Sequence, residues 1–365
     1  MTRAGITVGE YMELMEILKQ TLTLGGSDIF IVPGSQVKVK VRGQMQPVGT
    51  DRITCDQTEK LIRQTYELAR GRSMDKLLEE GDDDFSFSLE NLSRFRCNAY
   101  RQRGSLAAAY RVVTFGLPNP DQMGIPPLVT GLAQLRSGMV LVTGPAGSGK
   151  STTLACIVDR INQSRSGHII TIEDPIEFLH AHRKSLVSQR EVPSDSPSFA
   201  RALRSSLRQA PDVIMLGEIP DNDTVATAIT AAETGHLVLS SLHTVGAAKT
   251  IDRVIDAFPA NQQLQVRIQL SMVLRAVVSQ RLVPRIDGGQ IPVFEVLTVT
   301  PAVQNMIRDG KTHQIDNVIY SGNADRTMLS MDSEFFRLWQ SNIISRETAL
   351  NYAINPDALR KRMPG

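Results

Sequence analysis

An α/β chain, with a small α+β domain ahead of a larger one built on a mainly parallel sheet, is what this sequence predicts. Three patterns predict it. From Leu128 onward, continuous apolar runs at 139–143, 168–172, 213–216 and 237–242 alternate with helix-like segments. Strands buried on both faces read this way, which argues for a parallel sheet with helices on each side. Before residue 115, strands and helices mix without strict alternation, as in α+β domains. Between the two, 116–127 is punctuated by Gly116, Pro118, Pro120, Pro126 and Pro127 and reads as a linker. The expected domains are therefore 1–115 and 128–365.

Met12, Met15, Leu18 and Leu22 recur at helical spacing over 10–22, and the glycines at 25 and 26 end that helix. A strand at 29–32 runs into a Pro33-Gly34 turn. Val37, Val39 and Val41 then alternate with Lys38, Lys40 and Arg42, the pattern of a half-exposed strand. A helix is expected over 54–69, with Leu61, Ile62 and Leu68 on its apolar side. Asp82, Asp83 and Asp84 read as a solvated turn before an alternating strand at 85–89, in preference to a metal site. Two more strands, 94–100 and 106–113, flank Gly104. They carry Arg94, Arg96, Arg101, Arg103 and Arg111, dense enough for either a solvated basic face or phosphate contacts across an interface.

The 365 residues balance 40 basic against 38 acidic side chains, so no overall charge points to nucleic acid or an anionic membrane. Cys55, Cys97 and Cys156 lie far apart, which disfavours a disulfide framework or a zinc site and fits a reducing cytosol. No signal-peptide pattern or membrane-spanning apolar stretch is apparent, so membrane association is expected only through a partner.

The passage at 139–161 carries the chemistry. An apolar strand leads into Gly144-Pro145-Ala146-Gly147-Ser148-Gly149-Lys150-Ser151, and a helix-like stretch follows from Thr152. In that context G-x-x-x-x-G-K-S is a phosphate-binding loop. Its glycines let backbone N–H groups turn inward around phosphate oxygens. Lys150 is expected to reach the outer phosphates, and Ser151 to hold Mg²⁺. Two further apolar strands end in acid: 169–172 runs into Glu173, Asp174 and Glu177, and 213–216 into Gly217-Glu218. Carboxylates at the carboxyl ends of such strands stand where open α/β sheets bind ligands, and can orient or deprotonate water there. Glu218 occupies the Walker B position, close to the metal, though the usual aspartate is Gly217. His236 and His243 bracket the strand at 237–242 and are candidates for hydrogen bonds to a terminal phosphate. Arg204, Arg208, Arg253 and Arg275 would matter to hydrolysis only by reaching a phosphate.

Four blocks in order, GPAGSGKSTT, HIITIEDPIEF, PDVIMLGE and AAETGHLVLSSLHT, together with SFARALRSSLRQAPD, AFPANQQLQVRIQLS and SQRLVP, give the chain a wider resemblance. It resembles the secretion-superfamily ATPases, and within them the PilT-like retraction ATPases of type IV pili. The resemblance implies a PAS-like N-terminal domain and a RecA-like ATPase domain with a C-terminal helical region, assembled as a homo-hexamer that hydrolyses ATP with Mg²⁺. It implies Glu177 as general base with Glu173 and Asp174 beside it, Glu218 as Walker B carboxylate, and His236 and His243 as a histidine pair. It further implies that Arg96, Arg111 and Arg253 contact phosphate. The expected location is cytoplasmic, peripheral at the inner face of the cell membrane, with an inner-membrane pilus platform protein and a second pilus ATPase as partners.

Two departures from the family pattern stand out. Gly217-Glu218-Ile219-Pro220-Asp221 replaces the usual GEMRD, and Gln304 replaces an arginine of the AIRNLIRE motif. The second leaves an accessory, PilU-like motor as an alternative. An assembly ATPase would usually bring a longer N-terminal region and a four-cysteine insertion. A nucleic-acid translocase would favour a basic channel with aromatic stacking residues, and aromatics are 5% of this chain.

Overall fold

The structure, a computed structural model, describes residues 13–90, 92–113, 116–322 and 326–363. The start of the expected helix at 10–12 lies outside these residues. The chain divides into two compact units, Met1–Phe115 and Gly116–Gly365.

The first unit holds a six-stranded antiparallel sheet of β1 (Gly26–Ile31), β2 (Val37–Val41), β3 (Gln44–Val48), β4 (Asp82–Leu89), β5 (Ser93–Gln102) and β6 (Ser105–Val113). Its order is β3-β2-β1-β6-β5-β4. Period-2 alternation sets the register: Phe95, Cys97 and Ala99 of β5 are buried, while Arg94, Arg96 and Asn98 between them are half-exposed. The buried face packs against helices Leu14–Thr23 and Cys55–Leu68, which contribute Leu14, Ile17, Leu18, Leu61, Ile62 and Tyr66 to one core. Thr54 starts the second helix with a capping box: its hydroxyl accepts from Gln57 N–H, and the Gln57 side chain accepts from Thr54 N–H.

The three aspartates correct the expectation of a solvated turn. Asp82, Asp83 and Asp84 all lie within β4, and the pleat turns Asp83 inward, 1% exposed. There its carboxylate accepts from the Arg72 guanidinium on both oxygens at 3.0 Å and from the Tyr66 hydroxyl at 3.0 Å. A partner eleven residues upstream converts an apparent turn residue into a buried ionic anchor.

The second unit is a seven-stranded sheet of β7 (Gly138–Thr143), β8 (His168–Glu173), β9 (Leu186–Glu191), β10 (Val213–Leu216), β11 (Leu237–Leu242), β12 (Leu274–Pro284) and β13 (Gln290–Thr298). The order is β13-β12-β7-β11-β10-β8-β9, with every pair parallel except the β12–β13 ribbon. Each face has its own core, as continuous apolar strands require. Met139 and Leu141 of β7 join one, Val140 and Val142 the other. Helix Lys150–Ser164 covers the second face through Leu154, Ile157, Val158 and Ile161. Helices Asn222–Glu233, Ala247–Asp256 and Ala260–Val273 cover the first. The C-terminal helices Met331–Gln340, Arg346–Tyr352 and Pro356–Arg362 build a further core with Val283 and Val293 of the ribbon.

Pro220 does not enter the next helix. Asp221 is the N-cap, its carboxylate accepting from Thr224 N–H at 2.7 Å, and Pro220 stands just outside. The parallel strands deliver the segments after β7, β8, β10 and β11 to one edge of the sheet, where open α/β sheets place their ligands.

Candidate active site

After β7 the backbone turns through Gly144 at φ 148° and reaches Gly149 at φ 89°. A Cβ on Gly144 would lie 2.2 Å from the Gln280 carbonyl oxygen and 2.6 Å from Ser148 Oγ, and one on Gly149 would lie 2.9 Å from Gln280 Nε2. Both glycines therefore answer to close approach as well as to backbone angle. Helix Lys150–Ser164 begins at the end of this loop with no side-chain cap, so its first N–H groups and partial positive charge face an anion site. Ser148 Oγ is buried without a hydrogen-bond partner among the described residues. The Lys150 ammonium donates to the Gly144 and Pro145 carbonyls, both at 3.0 Å, and sits 3.5 Å from His243 Nδ1. Burial lowers its pKa, and the nearby carboxylates of Glu177 and Glu218 act in the opposite direction.

Lys150, Ser151, Glu173, Glu177, Glu218 and His243 line one cleft of about 240 Å³, together with Asp174 and Ala146. Glu173, 7% exposed, accepts from the Thr171 hydroxyl at 2.6 Å and from Gln189 Nε2 at 3.2 Å. Its second oxygen accepts from the Glu177 backbone N–H at 3.5 Å. Burial pushes the Glu173 carboxyl up to about 7, and these donors only partly offset it. Its geometric role is to hold the turn that carries Glu177, whose side chain is exposed to the cleft. Glu218 Oε2 lies 3.6 Å from His243 Nε2. Gly217, where the usual Walker B aspartate is missing, lets β10 pass close to β8: a Cβ there would lie 3.3 Å from Glu173 Cα.

The structure separates the two histidines of β11. His243 is at the cleft. His236, expected beside phosphate too, stands at the opposite end of the strand. Its carbonyl accepts from Gly138 N–H, where β7 begins, and its Nδ1 lies 2.9 Å from the Ala231 carbonyl of the preceding helix. A six-residue strand separates them by roughly 20 Å, so one cleft of one chain cannot use both. Arg253 is exposed in the last turn of helix Ala247–Asp256 and does not line the cleft. Arg96 and Arg111 belong to the first unit, where Arg96 pairs with both oxygens of Asp84 and Arg111 with Asp28 at 3.0 Å. Arg204 pairs with Asp223, and Arg275 donates to the Met272 carbonyl.

Sequence reasoning missed Gln189 and Glu191. Both lie on β9, whose run Leu186-Val187-Ser188-Gln189-Arg190-Glu191 is too polar to read as a buried strand. Gln189 donates to Glu173 and to the Phe178 carbonyl, and its amide oxygen accepts from His180 N–H. Glu191, 3% exposed, accepts from Ile176 N–H at 3.0 Å. Together they anchor the acidic turn from the sheet edge.

Comparison with known proteins bears on this geometry. The family model described as type II/IV secretion system protein matches residues 10–322. The type IV pilus retractation ATPase PilT of Pseudomonas aeruginosa is 39% identical over 95% of this chain and 99% of its own length. The type IV pilus ATPase PilU of the same organism is 36% identical over 96% of this chain and 91% of its own. A crystal structure of the pilus retraction motor PilT with bound ADP superposes with a TM-score of 0.87 at 43% identity, covering 96% of this chain and all of that one.

Proposed function

The chain belongs to the type II/IV secretion system protein family, and on that premise we propose that it is the ATP-hydrolysing motor of type IV pilus retraction. One observation carries the chemical half of this reading. A phosphate-loop lysine, two acidic strand ends and a histidine converge on a single cleft at the carboxyl edge of a parallel sheet. The likeness to PilT over nearly the whole length of both chains supports the biological half.

The loop N–H groups and Lys150 bind the phosphates of ATP, and the cleft excludes bulk water from them. The donor set fits Mg²⁺. Ser151 and Glu218 bring hard oxygen ligands to the cleft, and the loop's own Ser148 hydroxyl is buried and unpaired among the described residues. Ser151 and Glu218 would hold the ion, which neutralises charge on the phosphate oxygens when bound. Glu177 takes a proton from water as the water oxygen bonds the terminal phosphorus and the bridging oxygen departs toward ADP. His243, within reach of both Lys150 and Glu218, orients these groups around the phosphate.

Assembly into a homo-hexamer belongs to this reading, as do phosphate contacts from Arg96, Arg111 and Arg253 and docking on an inner-membrane platform protein. Among the described residues no helix is long and apolar enough to cross a membrane, and the proposed membrane association runs through that partner. The accessory motor is the second reading. It is favoured by Gln304, half-buried on helix Pro301–Arg308 where the retraction motif has arginine. A deletion strain separates the two. Hyperpiliated, non-twitching cells are expected for the retraction motor, normal pilus retraction for a dispensable accessory, and bald cells would contradict both.

A further inference from the structure

β12 stands behind the cleft-lining segments and presents two consecutive residues to opposite sides of the sheet. Gln280, 3% exposed, accepts from the Thr153 hydroxyl of the phosphate-loop helix at 2.7 Å. Its backbone carbonyl fills the space where Gly144 lacks a Cβ, and its side-chain amide the space at Gly149. Ser279, fully buried, accepts from Gly246 N–H at 2.9 Å. Its antiparallel partner Glu295, on β13, accepts from the next backbone group, Ala247 N–H, at 2.8 Å. Gly246 and Ala247 close the segment that His243 opens. One strand thus grips the phosphate loop on one face, and with its neighbour grips the His243 segment on the other.

A structural scaffold alone gives no reason for this arrangement. Buried hydroxyl, amide and carboxyl groups cost more than apolar side chains would in a strand that is otherwise apolar at Val277, Val278 and Val283. Each accepts a hydrogen bond, Gln280 from the first turns of the phosphate-loop helix and Ser279 and Glu295 from the segment after His243, and Lys150 and His243 themselves stand 3.5 Å apart.

We infer that Gln280, Ser279 and Glu295 are positioning residues of the nucleotide site. Gln280 sets the phosphate loop for binding, and the Ser279–Glu295 pair sets His243 for turnover. The inference rests on the nucleotide reading above. The two halves act on different quantities. The phosphate loop contacts phosphates that ATP and ADP share, so loosening it weakens both. His243 faces Glu218 and the outer-phosphate end of the cleft, so loosening its segment slows hydrolysis and leaves ADP affinity alone.

The test is a split between binding and turnover in the full-length protein. Gln280→Met and Thr153→Val are expected to weaken ADP and ATP binding by about threefold to tenfold, the worth of one buried hydrogen bond, with kcat at saturation within about twofold. Thr153→Ser keeps the hydroxyl and is expected to restore affinity. Ser279→Ala and Glu295→Met, which remove the acceptors of Gly246 N–H and Ala247 N–H, are expected to lower kcat by about threefold to tenfold at unchanged ADP affinity. Each pair has two members, so one that fails to melt cooperatively leaves the other as the readout. Four variants that change binding and turnover together, or change neither, overturn the inference. Wild-type protein that binds no ADP would instead bring down the nucleotide reading beneath it.

Discussion

Asp83 in the first unit and Glu173 in the second are both buried carboxylates on strands, and their neighbours differ in kind. Asp83 meets a full guanidinium, a tyrosine hydroxyl and the Lys76 ammonium at 3.7 Å. Glu173 meets only neutral donors and carries the raised pKa that follows. Asp83 is held by charge and holds a fold. Glu173 is held by dipoles at the mouth of a cleft and holds a turn that presents another acid. The contrast recurs at the level of whole sheets. Arg96 and Arg111 find aspartates within the first unit, whereas Glu177, Glu218 and Lys150 are aimed at shared space. The phosphate contacts proposed for Arg96 and Arg111 would exchange those aspartates for phosphate, whereas the cleft groups already converge.

The largest effect should come from breaking the cleft. Glu177→Gln keeps size and hydrogen bonding but removes the base, and is expected to lower ATP turnover by about 10²–10³-fold at nearly unchanged stability. Steady-state phosphate release alongside thermal melting checks it. An unchanged rate would leave Glu177 without the role its exposure in the cleft suggests. The opposite pattern is expected from Arg72→Ala. It strips the main cation from buried Asp83, and because Arg72 is partly exposed and Lys76 remains, the cost should be about 2–3 kcal/mol. Denaturant melts of the wild type and variant measure it. If instead ATP turnover collapsed while stability held, the division between the two carboxylates would be wrong.

How much of this was readable beforehand depends on how local each signal is. The phosphate loop, its strand and its helix occupy one stretch, and the acid-tipped strands 168–173 and 213–216 carry their chemistry at their own ends. Those were legible because the motif and its context are contiguous. Asp83 was not, because its meaning is set by Arg72 and Tyr66 on another element. That His236 stands at the far end of β11 from the cleft is not legible either, because flanking a strand says nothing about which end faces the ligand; only the parallel register with β7 decides that. Gln189, Gln280 and Glu295 act through sheet neighbours far away in sequence, and no periodicity announces them.

Glu295 sharpens the comparison most finely, because it shares the chemistry of Glu173 but stands away from the reacting groups. It is 4% exposed, and burial pushes it up to about 7. Asp316 and Asp332 on the neighbouring helices push the same way, while Ala247 N–H and Arg281 oppose them. An unfolded glutamate titrates near 4.5. Between those values the native chain keeps a proton that the unfolded chain has released. The contribution to stability is therefore complete below about pH 4.5 and is lost as pH rises through 7. Glutamine has no proton to lose. Glu295→Gln should therefore gain stability relative to wild type between pH 5 and 8, by at most about 3 kcal/mol for a shift of this size. His180, pushed down to about 4 by burial, contributes the reverse slope in both proteins and cancels in the difference. Melts of the pair across that range measure it directly. A flat difference would mean that Glu295 keeps its charge when folded, held there by Arg281 much as Arg72 holds Asp83, and the distinction between the two kinds of buried acid would fail at this residue.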